Sequence, residues 1–184
     1  MRSTILALTM TAALTAAALP AQAAWQSYAA REAGFSFEAP GDVKSEKATY
    51  RAAAGQRPAT VYRSLDDNIE YKVTVVDFAN RANDDAALIK EAATSLQNNR
   101  KVLADAEARV ETSYGRKMTF ELPNNGGRSM AAIYVSRGHL IQLEVTVLPA
   151  NGDYASPDLG RFVDSIAFNS GSSDPGKIEL QLAK

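Results

Sequence analysis

Beyond residue 24 the hydrophobic positions follow a period of two, switch to a helical period, and then return. Ile69, Tyr71, Val73 and Val75 alternate with Glu70, Lys72 and Thr74. That alternation predicts a strand with one buried face. The run ATVYRSLD precedes it, and Asp67-Asn68 between them predicts a hairpin. Upstream, WQSYAAREAGFSFEAP holds two short strands around an Arg31–Gly34 turn, with Phe35 and Phe37 on one face. VKSEKATYR reads as an exposed strand with sparse apolar positions. Leu88, Ile89, Ala92, Ala93 and Leu96 then recur at helical spacing, with Asn83 or Asp84 as N-cap. Asp84 and Asp85 suit the positive end of that helix.

Four strands are expected next, near Val102–Thr112, Lys117–Leu122, Ser129–Val135 and His139–Leu148. A closing helix begins at Ser156, its cap, with Pro157 at the first helical position and Leu159, Phe162, Val163 and Ile166 as its apolar stripe. NSGSSDPG reads as a linker, and KIELQLAK as a small edge strand or a disordered tail. Blocks of strands interrupted by two helices predict an α+β fold, a central antiparallel sheet with helices packed on it.

The glycines of NNGGRSMAAIYVSRGHLIQLEVTVLP read as turns rather than a phosphate loop, because a strand follows them and no Lys-Ser/Thr opens a helix. For the second turn, a three-residue Ser136-Arg137-Gly138 loop places Val135 opposite His139, Ile133 opposite Ile141 and Ala131 opposite Leu143. A two-residue Arg137-Gly138 loop sets Ile133 against Gln142 and Ala131 against Glu144. If one face is buried, the three-residue loop is preferred.

The N-terminus changes the setting. Arg2, an apolar stretch from Ile5 to Leu19 and Ala21-Gln22-Ala23 read as a signal peptide over residues 1–23, cleaved near Ala23. Residues 24–169 are expected to form a single domain, and 170–184 a linker and tail. Periplasmic location follows as an expectation, with no membrane insertion after cleavage. Without Arg2 the chain keeps 19 basic against 21 acidic residues, interspersed, so nucleic acid is not an expected partner. There is no cysteine, and stability has to come from burial.

Candidate chemistry is sparse. His139 is the single histidine, so zinc-type metal sites and any cofactor are not expected. No G-x-S-x-G elbow or S-x-x-K pair occurs, and the Asp66-Asp67 and Asp84-Asp85 pairs sit where aspartate favours turns and caps. The possible binding surface comprises Tyr134, Arg137, His139 and Gln142, around the second turn.

Three stretches, Phe35 to Pro40, Leu140 to Pro149 and Phe162 to Phe168, resemble the PsbP/DcrB-like superfamily. Its members share a short opening strand that runs from Phe to Pro, a late hairpin strand ending near proline, and a closing helix followed by Phe. The resemblance implies an α/β/α sandwich and a non-enzymatic binding, assembly or accessory role. No catalytic residue transfers, since the matched positions are packing residues. The functional expectation is a soluble periplasmic accessory or binding protein acting on an envelope protein or small ligand. The alternative is a periplasmic hydrolase with a dispersed site that includes His139. Oligomeric state is not legible.

Overall fold

A computed structural model describes residues 23–53, 55–78, 84–168 and 176–182. The signal-peptide reading of residues 1–22, the Asn83 cap and the linker at 169–175 fall outside the described residues.

The small sheet begins with β1 (Trp25–Ala30), which turns through a single helical turn at Arg31–Ala33 into β2 (Phe35–Pro40). Gly34 closes that turn in the left-handed region, at φ 74°. The large sheet opens with β3 (Lys44–Ala52), β4 (Gly55–Asp66) and β5 (Ile69–Asp77). Asp67 and Asn68 both take positive φ between β4 and β5, as the sequence leads one to expect of this hairpin. After α1 (Asp85–Gln97) the chain returns through β6 (Lys101–Val110), β7 (Ser113–Glu121), β8 (Arg128–Ser136) and β9 (His139–Val147). α2 (Pro157–Asp164), β10 (Ala167–Phe168) and β11 (Ile178–Glu179) complete it.

The large sheet is antiparallel throughout, in the order β3-β4-β5-β9-β8-β7-β6. The small sheet runs β10-β2-β1-β11, with β11 parallel to β1. Within KIELQLAK, Ile178–Glu179 forms the edge strand, and Ala183 and Lys184 lie outside the described residues.

The two helices pack on opposite faces of the large sheet. α1 is capped by Asp84, whose Oδ1 accepts the Ala86 N–H at 3.0 Å. Its Leu88, Ala92 and Ala93 cover Val76, Met118, Phe120, Ala131, Ile133 and Leu140. On the other face, α2 is capped by Ser156 and starts with Pro157. Leu159, Phe162 and Val163 join Phe35 and Phe37 of the small sheet against Tyr62, Tyr71, Tyr134, Ile141 and Leu143. Phe162 stands edge-on to both Tyr71 and Phe37, with ring centroids 5.3 and 6.2 Å away.

The β8–β9 register differs from the expectation. Ser136 pairs with His139, so the loop is the two-residue Arg137-Gly138 turn, with φ of 50° and 76°. Both residues are left-handed, as a type I′ hairpin requires. Ile133 consequently faces Gln142 and Ala131 faces Glu144. The three-residue reading assumed one buried face, but these central strands are covered on both. An apolar–polar pairing is tolerated there because each polar residue has partners, Tyr50 for Gln142 and Lys72 with Arg100 for Glu144.

Candidate interaction surface

The four residues singled out from the sequence are distributed over the sheet. Tyr134 points into the core beneath the small sheet, its ring 5.5 Å from that of Phe168. Burial raises its hydroxyl pKa, as it does for Tyr62 and Tyr71. Arg137 is exposed on the type I′ turn and lays its side chain across Gly34, where a Cβ would come within 2.5 Å of the arginine Cδ. His139 begins β9 opposite Asp77 and lines a 170 Å³ recess with Pro58, Ala59, Thr60, Val75 and Leu182. Its Nδ1 is buried without a hydrogen-bond partner among the described residues. Gln142 lies on the α1 face and donates to the Tyr50 hydroxyl at 3.3 Å. Arg137 and His139 thus share one end of the sheet, while Tyr134 and Gln142 occupy opposite faces.

A charged cluster absent from the sequence reading sits near Gln142. The carboxylate of Glu144, a residue 4% exposed, accepts from both Lys72 Nζ and Arg100 Nη1. Burial pushes this carboxyl upward in pKa, but the two cations and their hydrogen bonds outweigh it and hold it below its ordinary value. Arg100 also stacks on Phe120, 5.5 Å from the ring centre. The trace in sequence is a lone glutamate in the apolar run IQLEVTV and a lysine in IEYKVTV. Only adjacency of β5 and β9 makes Lys72 its direct cross-strand partner. The carboxylate is fully engaged, so the cluster reads as a pin for the sheet.

The β6–β7 hairpin presents an open surface. Residues 101–107 are all exposed along the edge strand β6. Val102, Leu103 and Tyr114 are 40%, 41% and 66% exposed, three of the five large hydrophobic side chains left on the described surface. A bulge between Val102 and Ala104 interrupts the ladder, and Arg116 clamps Asp105 with two hydrogen bonds of 2.6 and 2.7 Å. Bulges and charges of this kind limit indiscriminate edge pairing while leaving the strand available to a matched partner. Beside it, a 560 Å³ groove is lined by Ala86 and Ile89 of α1 and by Ala106, Glu107, Tyr114 and Arg116 of the hairpin. The Arg109 guanidinium lies 5.2 Å from the centre of the Tyr114 ring.

Among the described residues, no three His, Cys, Asp or Glu side chains come together as metal ligands. Nor is any helix among them long and apolar enough to cross a membrane.

No protein-family model matches the chain, and no curated protein does. Solved structures do. The solution structure of CyanoP, the cyanobacterial PsbP of Synechocystis sp. PCC 6803, matches with a TM-score of 0.53 at 13% identity, covering 84% of this chain and 98% of CyanoP. PA94 of Pseudomonas aeruginosa, a protein of unknown function, matches at TM-score 0.37 and 15% identity, over 73% of this chain and 90% of that one. The second likeness is too low to support a conclusion. The first, together with the antiparallel sheet and its two helices, shows that this chain has the PsbP-like fold.

Proposed function

We propose that the chain is an exported periplasmic accessory protein that binds an envelope protein through the β6–β7 edge. The observation that carries this reading is the exposed run of β6, which carries Leu103, together with Tyr114 at the groove under α1. Large hydrophobic and aromatic groups on an open sheet edge match the chemistry of strand addition to a partner. The signal-type N-terminus supports export, and an accessory role agrees with the resemblance drawn from the sequence.

A photo-reactive residue at Leu103 or Tyr114, in cells, tests the proposal against the same residue at exposed Glu70. Discrete adducts at the hairpin positions alone are expected. Absence of adducts, or the same adducts at Glu70, would refute the docking edge. Osmotic-shock release of the mature chain tests the location, and retention in the cytoplasmic fraction refutes it.

The second reading, a hydrolase using His139, is favoured by one observation, the buried Nδ1 in a recess opposite Asp77. That recess, at 170 Å³, is smaller than the roughly 300–1,000 Å³ typical of ligand sites. A His139→Ala variant that keeps any hydrolytic activity of the wild type removes this reading.

A further inference from the structure

The C-terminal segment is held as an extended peptide ligand would be. Ile178 and Glu179 pair in parallel with Tyr28 and Ala29 along the open edge of β1. The Leu180 N–H donates to the Ala29 carbonyl at 2.8 Å, and the Tyr62 hydroxyl donates to the Gln181 carbonyl at 3.1 Å. Leu180 and Leu182, two residues apart, set their side chains against the core, and Leu182 also closes the His139 recess. Glu179 faces Arg31 at 3.7 Å, and Lys177 Nζ donates to Ser36 Oγ at 3.4 Å.

These are the components of strand addition: main-chain bonds for affinity, alternate apolar side chains for specificity and a charge pair for register. The attachment is nonetheless slight. β11 pairs with only two of the six residues of β1, and the Arg31–Glu179 pair is solvated on both sides. The segment follows Phe168 after a run, Asn169–Pro175, that contains three serines and a glycine.

We propose that the β1 edge is a binding groove for an extended peptide of a partner protein. Its ligand carries an acidic residue followed by apolar residues at alternate positions, and the chain's own Lys177–Leu182 occupies the groove when the partner is absent. A partner strand longer than β11 extends the ladder along Trp25–Ser27, beyond the two pairs that β11 forms. A second copy's tail has no such extension. It offers the same contacts and competes with a tethered segment whose effective concentration is in the millimolar range. This groove lies on the small sheet and its test uses no partner of the β6–β7 edge, so the two readings fail separately.

The test uses the full mature chain, a Leu180→Ser/Leu182→Ser variant and a fluorescein-labelled peptide of sequence KIELQLAK. Fluorescence anisotropy is expected to show saturable binding to the variant, at least about tenfold tighter than to the wild type, whose groove is filled. In the wild type, the Leu180 amide is expected to exchange with deuterium at least about 100-fold faster than that of Ile141 in central β9, because the segment opens without global unfolding. Equal protection at the two amides overturns the proposal, since the segment is then an integral strand. A folded variant that does not bind the peptide overturns it, and so does a variant that fails to fold. A wild-type dimer by light scattering that the double substitution abolishes assigns the groove to tail exchange between copies and overturns the partner peptide.

Discussion

Replacing Glu144 by glutamine tests the central claim about how the large sheet is pinned. The carboxylate is almost wholly buried and accepts from Lys72 and Arg100, whose side chains are 29% and 23% exposed. Each hydrogen bond to a charged group contributes about 1.5–3 kcal/mol, and removing one member of a buried pair costs about 3–5 kcal/mol. Two features reduce that cost. Both cations are near enough to water to rehydrate, and the glutamine oxygen still accepts one bond. A loss of about 2–3 kcal/mol at pH 7 is therefore expected, or a fall in Tm of about 5–10 °C for a domain of this size. Urea denaturation should show a lower midpoint at unchanged slope.

The pH dependence has a defined sign. The folded carboxyl titrates below its ordinary value, so its stabilisation is complete above the unfolded range and is lost as pH falls through the folded value. The difference between Glu144→Gln and wild type should accordingly narrow below about pH 4, where the unfolded carboxyl protonates first. A loss under about 0.5 kcal/mol at pH 7, within the range of ordinary surface changes, would refute the pin. A gap that stays constant on acidification would refute its electrostatic origin.

Three further substitutions probe the packing. Gly115→Ala places a Cβ 2.3 Å from the Tyr134 ring and 2.4 Å from the Ile133 carbonyl oxygen, and should cost about 1–3 kcal/mol in urea denaturation. Asp84→Ala removes the acceptor of the Ala86 N–H and should cost about 0.5–2 kcal/mol, with amide exchange rising first in the opening turn of α1. Phe162→Ala vacates the position between Tyr71 and Phe37, so about 3–5 kcal/mol should be lost together with much of the near-ultraviolet dichroism of the aromatic cluster.

The turn at Arg137-Gly138 marks the limit of what local pattern encodes. The alternation in AAIYVS and HLIQLEVTV located both strands, and the glycine located the turn between them. Requiring apolar residues to pair selects a three-residue loop, and that requirement holds for a sheet with one wet face. Here the small sheet and α2 cover one side and α1 covers part of the other. Gln142 and Glu144 lie among apolar neighbours because Tyr50, Lys72 and Arg100 supply partners from β3, β5 and the segment after α1. His139 starts a strand, as its place after Arg137-Gly138 predicts, but its recess is lined by Asp77, Thr60 and Leu182, drawn from three separate parts of the chain. The β6–β7 surface carried a weaker signal, since exposed Val102, Leu103 and Tyr114 look like ordinary strand residues until the strand proves to be an edge.

By itself, the sequence determined most of the elements: the two helices, with Ser156 and Asp84 among the caps it offered, the turns at Arg31–Gly34 and Asp67-Asn68, and the succession of strands that makes the fold α+β. These depend on local periodicity and turn chemistry, which a few neighbouring residues encode. Tertiary structure alone decided the strand order, the faces that are covered, the partners of Glu144 and the seating of Leu180 and Leu182 on the first strand's sheet. The physical reason is that the period of a strand records whether its side chains are buried, whereas the surface that buries them comes from segments as much as 150 residues away, as Leu180 and Ala29 show.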